Sequence, residues 1–167
     1  PWRVGARCRH GYPSVIVSPS LLDDGARFPN FGYLTCPHLC EQISSLESSG
    51  AIALWAERLQ HDELAAQNQF QLEEVLKEAR REECLRCDQE VDLCAEAGIA
   101  GQRTTLGVKC LHIHVAYALL GFNDCIGREI LTDLSLSESS GCSCADAKGS
   151  VCAAAAATFL RHESMGE

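Results

Sequence analysis

Apolar residues recur at three- and four-residue steps over the middle of the chain, a spacing that predicts amphipathic helices. Proline is favoured at the first position of a helix, so Pro37 predicts a helix that begins there with Cys36 as its N-cap. The apolar spacing carries this helix as far as Gly50. A second helix is predicted over residues 51–64.

A longer and highly charged helical pattern covers residues 63–97, with apolar positions that include Leu72, Val75 and Leu76. The glycine-rich residues 98–101 end it. Acidic and basic residues are mixed along its middle, which is typical of a solvated helix face. These residues are Glu73, Glu74, Lys77, Glu78, Arg80 and Arg81.

Helical spacing returns over residues 108–122, and one or two further helical turns are predicted over residues 126–134. From residue 135 onwards the composition changes to serine, glycine, cysteine and alanine, which is typical of a mobile low-complexity tail. We therefore predict one globular domain over residues 1–134 and a tail over residues 135–167.

Two segments before the first helix have a different character. Residues 12–22 and 28–35 are rich in β-branched and aromatic residues and are bracketed by prolines and turn signals, so they predict strands of a small antiparallel sheet. The predicted fold class is therefore α+β. It is mostly helical, with a small N-terminal antiparallel sheet, one long charged helix and a C-terminal low-complexity tail.

Size and charge narrow the classes of function. A chain of 167 residues is long enough for one ordinary domain with a core. Its formal net charge of -9 at pH 7 disfavours binding to nucleic acid or to an anionic membrane surface. No stretch approaches the roughly 20 apolar residues of a membrane-spanning helix. The sequence therefore predicts a soluble protein.

The cysteine content bears on the compartment. The 11 cysteines are an odd number and lack the paired spacings of a secreted disulfide scaffold. This favours an intracellular, reducing compartment in which burial or a metal holds the thiols. The cytoplasm fits, and so does an organelle if an N-terminal targeting segment has been removed, because the chain opens on Pro1.

The richest source of candidate chemistry is Lys-Cys-Leu-His-Ile-His at residues 109–114. Soft sulfur and imidazole groups of this kind are ligands for zinc or for iron–sulfur clusters. Three cysteines in all have electropositive surroundings, which favour ligation or reactivity over inert burial. They are Cys8 between Arg7 and Arg9, Cys36 at the predicted helix N-cap, and Cys110 beside Lys109.

Helical geometry leaves the partner of Cys110 open. On a regular helix Cys110 and His114 share one face, whereas His112 projects almost oppositely. If Cys110 instead precedes the regular helix, Cys110 and His112 can converge on one ion. The two histidines therefore remain alternatives at this point.

Four short motifs occur in order between residues 3 and 130. They are Arg7-Cys8-x-x-Gly11-x-Pro13, Phe28-Pro29 with Leu34-Thr35-Cys36-Pro37, Leu46-Glu47-x-x-Gly50, and Val108-Lys109-Cys110-Leu111-His112. Together they resemble the domain of unknown function 501 family (DUF501), which is mainly bacterial and has no established activity. The resemblance implies that Cys8, Cys36, Cys110 and His112 belong to the family signature. Members commonly have a histidine where this chain has Tyr117.

The first hypothesis is that Cys8, Cys36, Cys110 and His112 together hold one structural zinc ion. The second is an enzyme in which three ligands leave a metal position open for water, with His114 as the general base. Its small anionic or phosphorylated substrate would be attracted by Arg7, Arg9 and Lys109. The third is an iron–sulfur or thiol redox protein. The fourth is a scaffold or adaptor that binds partners through the long charged helix.

Overall fold

A computed structural model describes residues 2–8, 10–19, 21, 30–89 and 98–137 of the chain. Strands β1 (Arg3–Arg7), β2 (Pro13–Val17) and β3 (Gly32–Leu34) form one antiparallel sheet in that order. The helices are α1 (Pro37–Ser48), α2 (Ala51–His61), α3 (Glu63–Arg86), α4 (Leu111–Leu119) and α5 (Cys125–Ser137), with a 3-10 turn at Ile99–Gly101 before α4. The predicted α+β class, mostly helical with a small N-terminal antiparallel sheet, is confirmed.

The sheet contains one strand that the sequence pattern does not predict. β1 pairs with β2, with Val4 opposite Ile16, and its register is irregular on either side of Ala6. Its sequence, Arg-Val-Gly-Ala-Arg, has one β-branched residue, so strand propensity is weak there. Pairing with β2, whose Val15 and Val17 are buried, supplies the stabilisation that local propensity lacks.

Helix α4 lies at the centre of the domain, where it packs against α5, β3, β2 and α1. Its Leu111 and Val115 join a core cluster that also contains Ile43 of α1 and Ile126 of α5. On another side of α4, Ile113 and Tyr117 join a second cluster. That cluster also contains Val17, Phe31, Leu72, Leu76 and Ile99. A helix that is apolar on most sides is typically a buried one, and α4 follows this rule.

Helix α3 ends earlier than predicted. Instead of continuing to residue 97, it stops at Arg86, and Asp88 adopts a left-handed conformation with φ 54°. The amide of Asp88 donates to the carbonyl of Leu85, and the amide of Gln89 donates to the carbonyl of Cys84. These are the two hydrogen bonds of a Schellman motif. The remainder of the predicted helix, residues 90–97, lies outside the described residues.

The solvated face predicted for α3 is correct in part. Glu74 and Glu78 are exposed and pair with Lys77 and Arg81 respectively. Glu73 and Arg80, however, are 7% and 1% exposed. The prediction was wrong for these two residues because α3 packs some of its polar positions, as well as Leu72 and Leu76, towards the interior. Val75, expected among the apolar positions, is 54% exposed.

The C-terminal helix confirms the helical turns predicted over residues 126–134 and extends them. α5 runs from Cys125 to Ser137, which takes it into the first residues of the predicted tail. Residues 138–167 lie outside the described part of the chain, so the boundary at residue 134 stays a prediction. No helix in the described ranges has the length and apolar character needed to cross a membrane.

Glu83 ties the end of α3 to the edge of the sheet. Its side chain is 5% exposed and accepts hydrogen bonds from Arg3 of β1 at 3.1 Å and from Arg86 at 3.0 Å. Burial by itself raises the pKa of the Glu83 carboxyl, but the hydrogen bonds from Arg86 and Arg3 outweigh burial and hold the pKa below its ordinary value.

This arrangement predicts a pH dependence. A carboxyl whose pKa is lowered by folding stabilises the protein fully above the pKa of the unfolded chain, about 4.5, and the contribution is lost as the pH falls through the lower folded pKa. We expect Glu83→Gln to lower the free energy of unfolding at pH 7 by about 1–3 kcal/mol and to flatten its decline below the unfolded pKa. Urea unfolding across this pH range measures both effects. Glu57→Gln, on the exposed face of α2, is the control, and a Glu83→Gln protein that declines as steeply as the wild type would contradict the prediction.

Candidate metal centre

Three potential metal ligands meet where the end of α1 faces the start of α4. Glu47, Cys110 and His112 each offer one ligand atom, and these atoms all lie within 4.8 Å of one another. Among the residues that the structure describes, no other group of three or more His, Cys, Asp or Glu side chains is as close. All three residues are partly buried.

Cys110 and His112 converge because Cys110 precedes the regular helix. Cys110 is the N-cap of α4 and has an extended backbone, with φ −157° and ψ 123°. Its Sγ atom lies 3.8 Å from Nδ1 of His112. Of the two arrangements that the spacing leaves open, the structure therefore shows the one in which Cys110 lies beside His112.

Glu47 reaches the same point from α1. One carboxylate oxygen, Oε1, accepts a hydrogen bond from the backbone amide of Leu111 at 2.6 Å and lies 3.2 Å from Nδ1 of His112. A carboxylate at a helix N-terminus satisfies an unpaired amide and is favoured by the helix dipole. Glu47 thus caps α4 from a different helix, which fixes its position beside Cys110.

The contacts of the second ring nitrogen of His112, Nε2, bear on whether Nδ1 can bind a metal. Nε2 lies 3.2 Å from the carbonyl oxygen of Cys40 and 3.3 Å from the hydroxyl of Ser44. A carbonyl oxygen only accepts, so this contact is satisfied by a proton on Nε2, which is the tautomer that would leave Nδ1 free to bind a metal. Histidine ligands of metals typically donate their other N–H in this way.

Two thiols near the group have altered acidity. Burial raises the pKa of Cys110, the backbone amide of Ile113 opposes this, and the negative charge of Glu47 raises the pKa further. Burial also raises the pKa of Cys40, and Cys110 adds to the effect. The two cysteines are therefore close enough to interact electrostatically. The Cys40 thiol donates a weak hydrogen bond to the carbonyl of Leu34, at 3.7 Å.

A family model described as "Protein of unknown function (DUF501)" matches residues 4–132. The chain belongs to this family. Comparisons with curated proteins and with solved structures gave no match. The matched region contains Glu47, Cys110 and His112. Membership therefore confirms the resemblance drawn from the motifs, while the function has to be argued from the site.

The cysteines predicted as ligands in this DUF501 domain occupy two kinds of position. Cys110 belongs to the close group, together with His112. Cys36 is the N-cap of α1, as predicted, and is buried, whereas Cys8 lies half-buried where the chain turns between β1 and β2. Neither Cys8 nor Cys36 belongs to the group with Glu47, so the four-residue zinc site stays a prediction.

Sequence reasoning missed Glu47 as a candidate ligand. It lies at the end of α1 and is separated from Cys110 by all of α2 and α3 and the loop before α4, so no local spacing connects them. The one available signal was its place in the motif Leu46-Glu47-x-x-Gly50, which the DUF501 resemblance had already marked.

The other predicted site residues lie apart from the three ligands. His114 is fully buried and its Nδ1 atom lies 2.8 Å from Asp124, so the burial of its ring argues against the general-base role, which stays a prediction. Arg7 is exposed and donates to the carbonyl of Gly11, and Lys109 is exposed beside Cys110. Arg9 lies outside the described residues. The substrate-attracting roles of these cations also stay predictions.

Proposed function

We propose that this DUF501 domain binds one divalent transition metal, with zinc favoured, through Glu47 Oε1, Cys110 Sγ and His112 Nδ1. The observation that carries the proposal is the convergence of these three ligand atoms within 4.8 Å. A mixed sulfur, nitrogen and oxygen set suits zinc, whereas iron–sulfur clusters are held mainly by several thiolates. The single thiol of the group therefore favours zinc.

The separations match tetrahedral coordination. Zinc bonds of about 2.3 Å to sulfur and about 2.0–2.1 Å to nitrogen and oxygen place tetrahedral ligand atoms about 3.6 Å apart for sulfur and nitrogen and about 3.4 Å apart for nitrogen and oxygen. The corresponding distances here are 3.8 Å from Cys110 to His112 and 3.2 Å from His112 to Glu47. Little rearrangement is needed to place a zinc ion between them.

The electrostatics of the group also favour a cation. With the proton of His112 on Nε2, the Nδ1 lone pair and the Glu47 carboxylate face each other at 3.2 Å. Two electron-pair donors at this distance repel each other unless a proton or a cation lies between them. Cys110 would lose its proton on binding, as zinc thiolates do, and add a third donor to the same ion.

The fourth ligand of the metal determines whether the site is structural or reactive. Cys40, whose thiol interacts electrostatically with Cys110, is the candidate fourth ligand for a closed structural site, although its sulfur lies outside the group of atoms within 4.8 Å of one another. The alternative is a water molecule. The side chains of His112 and Glu47 are 25% and 22% exposed, which leaves room for solvent at the metal.

A second candidate function follows from that exposure: metal-dependent hydrolysis of a small anionic substrate. A zinc ion with an open position would activate a bound water molecule. Lys109, exposed beside Cys110, would attract the anion. Hydrolysis of p-nitrophenyl phosphate by the zinc form, lost in Cys110→Ser, would select this function over a purely structural metal.

The test is a zinc titration of the full chain against a chromophoric chelator, preceded by metal analysis of anaerobically purified protein. We expect one tight zinc site, and we expect Glu47→Gln, Cys110→Ser and His112→Asn each to weaken it by about 100-fold or more. Matched controls are Cys125→Ser, a half-buried cysteine of α5, and His61→Asn in the last turn of α2. They should leave the affinity unchanged.

A Cys40→Ser variant separates the two forms of the site. Loss of zinc affinity and of thermal stability in Cys40→Ser indicates a closed structural site, whereas unchanged affinity indicates an open position. Tight zinc binding that persists in all three ligand variants would show that the metal lies elsewhere among the cysteines. Iron in place of zinc in the purified protein would contradict the choice of metal.

A further inference from the structure

A cavity of about 450 Å³ lies between α3 and the loop that leads from the 3-10 turn towards α4. This volume falls within the range of small-molecule sites, about 300–1,000 Å³. Its lining includes Glu73, Lys77, Gly98, Gln102, Arg103 and Thr105. It shares no residue with the proposed metal site, so the two can be tested independently.

Two buried polar atoms of the cavity have no hydrogen-bond partner within the described residues. Glu73 is 7% exposed, and its Oε2 accepts a hydrogen bond from the Thr105 hydroxyl at 2.8 Å, but its Oε1 has no donor. The side-chain nitrogen of Gln102, Nε2, has no acceptor. Buried polar atoms in folded proteins are almost always paired. An occupant with a donor for Glu73 and an acceptor for Gln102 would satisfy both.

The loop is shaped to keep the space around Glu73 open. A Cβ atom at Gly98 would lie 3.0 Å from Glu73 Oε1 and 2.8 Å from the carbonyl oxygen of Gln102, so a side chain there would fill the space. Ala100 has a left-handed backbone, with φ 56°, and its amide donates to the side chain of Asn30 at 3.0 Å. A non-glycine residue is held in this region at a conformational cost, which is common where a loop forms a binding site.

The residues that line the cavity carry charges of both signs. The carboxylate of Glu73 is buried. Arg103 is exposed at the mouth and has no ion pair with any described residue, whereas Lys77 is paired with Glu74 at 2.6 Å. One unmatched cation and one buried carboxylate complement a zwitterion better than a phosphate dianion, which would need more positive charge.

We propose that this cavity binds a zwitterionic small molecule of the α-amino-acid class. The ammonium group donates to Glu73 Oε1, where a positively charged donor compensates the buried carboxylate. The carboxylate accepts from Gln102 Nε2 and pairs with the Arg103 guanidinium. The volume left beyond these contacts accommodates the side chain of the ligand.

The experiment uses the full chain and a pool of the proteinogenic α-amino acids, screened by saturation-transfer difference NMR. The strongest binder is then titrated calorimetrically, alongside its N-acetyl and carboxamide derivatives. We expect at least one amino acid to bind and each derivative to bind about tenfold more weakly, since each lacks one of the two charges. Arg103→Ala and Glu73→Gln should each weaken binding by about tenfold.

Matched controls lie on the same helix away from the cavity. Arg81→Ala and Glu78→Gln alter an exposed ion pair of α3 and should leave the affinity unchanged. If Glu73→Gln does not fold, Arg103→Ala still tests the proposal, because Arg103 is exposed and its substitution should not disturb folding. The proposal is overturned if no amino acid binds at millimolar concentration, if ribose 5-phosphate or inorganic phosphate binds more tightly than any amino acid, or if Arg103→Ala binds as well as the wild type.

Discussion

Gly127→Ala is expected to destabilise the domain by about 3 kcal/mol, which corresponds to a fall in Tm of roughly 6–12 °C for a chain of this size. Gly127 is a buried residue in the first turn of α5, where this helix crosses α4. A Cβ atom there would overlap the carbonyl oxygen of His114 and lie 2.6 Å from its carbonyl carbon. These are backbone atoms of the central helix, so the overlap is relieved only if the two helices move apart. Helix propensity alone would favour alanine over glycine by about 1 kcal/mol, in the opposite direction.

Urea unfolding followed by circular dichroism measures this effect, and Gly5→Ala is its matched control. A Cβ atom at Gly5 would also meet neighbours closely, at 2.5 Å from Leu120 and 2.7 Å from Val17, but these are side-chain rather than backbone atoms, and the end of Leu120 can rotate. We therefore expect a smaller loss for Gly5→Ala. Equal losses would show that overlap with the backbone of α4 costs no more than overlap with side chains, and a stabilised Gly127→Ala protein would show that α4 and α5 can separate without cost.

Local rules predict where a helix begins or ends only when the expected residue type is present. The start of α1 was predicted because Pro37 is one of the strongest first-position residues, and the structure has Cys36 as the N-cap. The end of α3 was missed because Asp88, not glycine, takes the left-handed position. β1 was missed because its strand geometry depends on pairing with β2 rather than on its own residues.

The candidate site shows the same division between local and long-range information. Cys110 and His112 are two positions apart, and their convergence was one of two arrangements that the spacing allowed. The choice between them depended on where α4 begins, and helix starts are uncertain by one or two residues in a sequence. Glu47 depends on how α1 packs against α4, which spacing does not encode. The burial of Glu73 was not predicted for a related reason, because the charge pattern of a helix does not show which of its polar residues face a cavity.

Asp124 connects two structural roles, which is why its removal should be costly. It is fully buried and precedes α5. One oxygen, Oδ1, accepts from the amide of Gly127 at 2.9 Å, as an N-cap residue does, and the other, Oδ2, lies 2.8 Å from Nδ1 of His114. The side chain therefore joins the start of α5 to the buried face of α4.

We expect Asp124→Ala to lower the free energy of unfolding by about 3–5 kcal/mol, because it removes the cap and leaves the buried Nδ1 of His114 without a partner. Asp124→Asn should lose less, since an amide oxygen can still accept from the amide of Gly127. A double-mutant cycle with His114→Ala, measured by urea unfolding, gives the interaction free energy between the two side chains. Asp133→Ala, at an exposed position of α5, is the control and should change stability by less than about 0.5 kcal/mol. If Asp124→Ala matched this control, or if the cycle gave no coupling, the pair would have no part in joining α4 to α5.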